Sequence, residues 1–175
     1  LMRKHLLIAL PLICCVSRSS AQPARVLKEE GLQKLSVFVG TWKAEATDAA
    51  NKGKISAVNS CQWSVNGGFL IADQAVTING TKVDNLSIYH YNAATDDYTL
   101  TIVGIPGREP FTVPIAYRGD TLIYHSVYTD NGKRYFNRTL NIFDSRDSYV
   151  YLIQASEDSV HWQTNGEGRS VRSKP

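Results

Sequence analysis

Arg138 stands among Phe136, Leu140 and Ile142 at two-residue spacing, so a strand through this segment puts its guanidinium on an apolar face. If that face looks inward, the guanidinium can hold a carboxylate or phosphate through paired hydrogen bonds. The alternative is satisfaction by an internal acid or by backbone carbonyls, since a buried charge must be paired. His90, in phase with Leu86 and Ile88, and His125, between Ile123 and Val127, are two further polar groups on apolar faces. Each is either a ligand contact or a core histidine satisfied by its neighbours. Trp63, in phase with Cys61, and Tyr151, in phase with Tyr149 and Ile153, complete the candidate ligand-binding set. Their rings offer apolar area, and a phenol offers a handle that orients a small molecule. Ordinary strand propensity accounts for most of the nine tyrosines.

Other chemistries find no foothold. The scattered histidines and cysteines have none of the recurring metal-ligand spacings, so no metal site is expected. No Gly-x-Ser-x-Gly pentapeptide is present, and Gly104-Ile105-Pro106-Gly107 reads as a hairpin turn rather than a phosphate loop. Cys61 reads as a small buried apolar residue. No catalytic residue is assigned.

The elements that position these residues begin after a leader. Arg3 and Lys4 precede an apolar run from Leu6 to Val16, and Ser19-Ser20-Ala21 has the small residues of a cleavage site. Residues 1–21 are therefore expected to be a signal peptide and residues 22–175 one domain, exported to the periplasm or secreted. Ile13 and Cys14 are poor residues to precede a lipid-modified cysteine, so membrane contact through Cys14 or Cys15 is not favoured. Arg3, Lys4 and Arg18 account for the whole formal charge of +3. The remaining chain is neutral, which argues against a nucleic-acid partner or an electrostatic membrane binder. With Cys61 its only cysteine, it forms no internal disulfide.

Leu27, Gly31, Leu32 and Leu35 recur at helical steps, predicting a short helix over 26–35. Beyond it the period changes to two. Trp42, Ala44 and Ala46 alternate with Lys43, Glu45 and Thr47, and similar alternation continues to the end. Turn signals such as Asn66-Gly67-Gly68, Asn79-Gly80 and Asn131-Gly132 recur every 8–14 residues. Ten strands are predicted, near 38–47, 54–65, 68–78, 81–91, 97–104, 110–118, 120–129, 133–143, 147–156 and 160–170. The fold class is thus all-β: an antiparallel up-and-down barrel of about ten strands after a short helix, wide enough for one small ligand.

Gly40-Thr41-Trp42, just after the helix, resembles the entry to lipocalin-like barrels. There, glycine and tryptophan are structural and the indole plugs the closed end. The segments 38–43, 63–70 and 91–98, with Arg138, Ser156-Glu157-Asp158 and Trp162, resemble an uncharacterised bacterial lipocalin-like family across about residues 32–172. Ser159 stands where that family usually has glycine, so the last hairpin is a point of departure. Nitrobindin is a more distant, haem-binding relative. This chain lacks the second glycine after Trp42, and His161 is out of phase with Val160 and Trp162, so neither haem nor another cofactor is expected.

The expected function is an exported barrel that binds a small, largely apolar or amphipathic ligand in its cavity. The alternatives are a small barrel enzyme of the cyclase, isomerase or hydrolase kind, and an interaction protein with a filled barrel.

Overall fold

The change from helical to two-residue period falls at Gly40, whose φ of +114° bends the chain into the first strand. The computed structural model describes residues 30–48 and 53–174, so the expected leader and the start of the predicted helix lie outside the described residues. The helix itself is short, α1 (Glu30–Lys34), and runs into a 3₁₀ turn over Leu35–Phe38.

Ten strands follow: β1 (Gly40–Asp48), β2 (Lys54–Trp63), β3 (Phe69–Ile78), β4 (Thr81–Asn92) and β5 (Asp97–Val103). Then come β6 (Phe111–Arg118), β7 (Thr121–Asp130), β8 (Lys133–Ser145), β9 (Ser148–Ser156) and β10 (Gln163–Arg172). Each pairs antiparallel with the next, and β1 pairs with β10, so the sheet is a closed barrel with no unpaired edge. The last strand starts three residues later than predicted because Asp158 organises residues 158–161 as a turn. Its Oδ1 accepts the backbone N–H groups of Val160 and His161 at 2.9 and 2.8 Å. Ser159 takes φ of +64° there, so serine adopts the left-handed conformation for which glycine is the usual choice.

One end is plugged. Leu32, Leu35 and Phe38 from the helical segment meet Trp42, Leu70, Tyr98 and Tyr149 in a buried cluster. Trp42 is 1% exposed and donates from Nε1 to the Phe38 carbonyl at 2.8 Å. Tyr98 donates to the Gly31 carbonyl at 2.8 Å, pinning the helix to the barrel. Arg172 closes the same end. Its guanidinium carbon lies 4.3 Å from the Trp42 ring centroid, and it donates to the carbonyls of Val37, Val39 and Arg146 and to Asp147. Gly40 sits against this guanidinium.

Candidate functional site

Toward the other end the barrel holds a cavity of about 390 Å³. Its wall is made mainly by one parity of the strands from β1 to β9, with His125 and Arg138 of the other parity also bordering it. Ala44, Ile55, Ala57 and Val76 contribute apolar surface, as do Leu100, Ile102, Phe111 and Val113. Asn59, Gln74, Ser87, Tyr89, Tyr124, Asn137, Thr139, Asn141, Tyr149 and Tyr151 contribute polar groups. The inward positions of β10 are small: Gly168 lies under the Tyr151 ring, and Gly166 lies beside Ile153. Small residues on one strand let the large rings of its neighbour lean across without filling the interior.

A hydrogen-bonded cluster crosses the cavity. Asn141 donates from Nδ2 to the Tyr124 hydroxyl at 3.2 Å, and that hydroxyl lies 3.4 Å from the Tyr89 hydroxyl. Burial holds both phenols well above the ordinary tyrosine range; Tyr89 raises Tyr124 further, whereas the hydrogen bond with Tyr124 offsets a little of the rise at Tyr89. Tyr151 is pushed up to about 12, chiefly by burial and then by Tyr149. These phenols are therefore neutral hydrogen-bonding groups, not acids or bases working near pH 7.

Of the predicted ligand contacts, Tyr151 lines the cavity. Trp63 faces inward but packs onto the core cluster, opposite Leu70, and contributes to the plug. His90 is corrected, whereas Arg138 and His125 also border the cavity although they sit at the outward parity of their strands. Asn137, Thr139 and Asn141 line the cavity, so alternation puts Arg138 on the outer face of β8, with Phe136, Leu140 and Ile142. There, Arg138 donates from Nε to Gln154 Oε1 at 2.7 Å, and its guanidinium carbon lies 4.0 Å from the Trp162 ring centroid. His125, its partner across β7 and β8, is on the same outer face. Burial and then the nearby Arg138 hold His125 below the ordinary histidine range. Both residues nonetheless border the cavity, beside their strand neighbours Ser126 and Asn137. His90 is exposed on the outside of β4, because Ser87 and Tyr89 take the inward parity.

The physical reason is an inversion of the usual rule. The outer face of β8 is apolar, whereas its inner face carries Asn137, Thr139 and Asn141. Placing the apolar parity inside therefore selects the wrong face where a strand borders a polar cavity. Sequence reasoning passed over Asn59, Ser87 and the Tyr89–Tyr124–Asn141 cluster for this reason. It also passed over Arg172, whose only signal is its place opposite Trp42 once β1 and β10 pair.

His161 is exposed on the turn after β9, with Nδ1 2.6 Å from Asp158 Oδ2. That bond and the carboxylate charge raise its pKa above the ordinary histidine value. Asp158→Asn keeps an acceptor for the two backbone N–H groups but removes the charge. The His161 pKa is then expected to fall to that of an exposed histidine, about 6.5, in an NMR titration. An unchanged value would mean that the pair does not form in solution. Among the described residues, no group of three or more potential ligand side chains is placed to hold a metal.

A closed ten-stranded antiparallel barrel, plugged by a short helix at one end and hollow toward the other, defines a calycin-like fold. No family model and no curated protein matches the sequence. Among solved structures, the barrel is similar to that described as the crystal structure of Rv2717c from M. tuberculosis. The TM-score is 0.54 and the identity 14%, over 83% of this chain and 99% of that one. It also aligns with EF1p2_mFAP2b bound to DFHBI, at a TM-score of 0.41 and 12% identity, over 81% of this chain and 98% of that one. At these identities the first likeness concerns the fold.

Proposed function

We propose that this protein is an exported carrier that holds a small, largely apolar molecule inside the barrel, and that its kinship is with the bacterial lipocalin-like proteins whose motifs it resembles. The observation behind the carrier role is the cavity itself. Its volume falls within the roughly 300–1,000 Å³ of small-molecule sites, and its wall combines aliphatic side chains with a few converging hydroxyls and amides. A catalytic role would call for an acid or base poised near neutrality. The phenols bordering the cavity are instead held neutral, and His125 and Arg138, which also border it, take the outward parity of β7 and β8. No cofactor is needed for such a role.

The test begins with native mass spectrometry of protein isolated from the periplasm, alongside the same sample denatured. A small molecule retained only under native conditions is expected. In parallel, the neutral fluorophore 1-aminoanthracene is titrated into wild type, Ala57→Phe and Ser126→Phe. The two variants narrow the cavity from different strands and should weaken binding at least about tenfold, with unchanged circular dichroism. The absence of both a retained mass and fluorophore binding would overturn the carrier role. Attention would then move to the exposed apolar side chains of the outer face, Val127 and Ile142.

A further inference from the structure

We infer that the ligand is uncharged and carries a hydroxyl or amine hydrogen-bond donor, received on the β2–β4 wall by Asn59 and Ser87; this rests on the carrier role. Two observations lead to it independently. The first is the sign of the interior. Among the described residues, no lysine, aspartate or glutamate borders the cavity; Arg138 and His125 do, but at the outward parity of β8 and β7, and the Arg138 guanidinium is already held by Gln154 and the Trp162 ring. An anionic head group drawn inside would lose its hydration and meet no inward-facing cation, and a cation would meet no carboxylate. The burial that keeps Tyr89 and Tyr124 from ionising acts equally on a guest's carboxylate.

The second observation is a pair of polar atoms with no partner. Ser87 is 1% exposed, and its Oγ has no hydrogen bond; Asn59 Oδ1 is likewise buried and unbonded. Leaving such atoms unsatisfied costs about 1–3 kcal/mol each. Asn59 lies across from Gln74, which in turn is two positions along β3 from Ala72, the partner of Ser87. Both orphan atoms therefore belong to one stretch of wall. The Tyr89–Tyr124–Asn141 cluster, by contrast, is internally bonded. A carbonyl oxygen only accepts, so the group that completes Asn59 must donate. The Ser87 hydroxyl can accept from the same group or donate to its oxygen.

Calorimetric titration of the leaderless protein with three ring-matched probes tests this: 1-naphthol, naphthalene and 1-naphthoate at pH 7. The naphthol is neutral with a donor, naphthalene has no polar group, and naphthoate is an anion. Naphthol is expected to bind at least about tenfold more tightly than naphthoate, given the cost of stripping water from an unpaired charge. Asn59→Leu and Ser87→Ala should each weaken naphthol binding by about fivefold, one hydrogen bond's worth, and leave naphthalene binding unchanged. Thermal melts confirm that both variants fold. Naphthoate binding as tightly as naphthol, or naphthol binding unaltered in both variants, would overturn the ligand class while the carrier role stands. Binding of none of the three, together with no 1-aminoanthracene binding, would overturn both.

Discussion

Trp42→Ala is expected to lower the unfolding free energy by about 3–5 kcal/mol, the range for removing a large aromatic side chain from a core. The indole is among the largest fully buried side chains and touches three separate parts of the plug. It donates to Phe38 in the 3₁₀ turn, packs on Tyr149 of β9 at a centroid distance of 5.2 Å, and lies under the Arg172 guanidinium. Truncation empties that space and leaves the Phe38 carbonyl without its donor. Arg172→Met should also be costly, because it frees the carbonyls of Val37, Val39 and Arg146 at once. Urea denaturation followed by circular dichroism measures both. A shift of the Trp42→Ala midpoint worth less than about 1 kcal/mol would mean that the plug is not part of the cooperative unit.

The second large effect is expected at the seam between first and last strands. A β-carbon on Gly168 would stand 2.3 Å from the Glu45 carbonyl oxygen and 2.6 Å from the Tyr151 ring. The ring can swing away, but the carbonyl belongs to the backbone of β1 and moves only if that ladder opens. Gly168→Val should therefore cost about 3 kcal/mol, at the upper end of overpacking substitutions. The damage should be local: hydrogen exchange should quicken first at the amides of β1 and β10. Uniform acceleration, or none, would contradict a close approach at this point. Gly166 is a useful control, since its β-carbon meets Ile153 and the Thr47 carbonyl only at ordinary contact distance, 3.6 Å.

Much of the barrel can be seen in the bare sequence because its local signals agree with one another. Asn79-Gly80 and Asn131-Gly132 join hairpins with positive φ at both positions, as tight connections between twisted strands require. The start of β10 was less visible: the cap at Asp158 depends on three-dimensional geometry, so residues 160–162 read as strand when they belong to a turn. The site was legible only in part. Tyr151 was found because its phase matches Tyr149 and Ile153, all three bordering the cavity. Arg138, His125 and His90 were put inside because apolar neighbours share their parity, yet in a hollow barrel the outer wall can be the more apolar of the two. Ser87 and Asn59 look unremarkable in sequence. They stand out only when the burial and bonding of individual atoms are known.

The pairing of β1 with β10 also governs how the protein can be held. Gly31, next to the first described residue, packs on Tyr91 and accepts from Tyr98, and Ser173 donates its backbone N–H to the Thr41 carbonyl, so both passages lie at the plugged end. A tether attached to either passage therefore acts as a stalk, directing the hollow end away from whatever it is fixed to. Immobilisation through the first or the last described residue should consequently leave guest exchange equally fast, whereas anchoring through the Asn131-Gly132 loop would press the opening against the support.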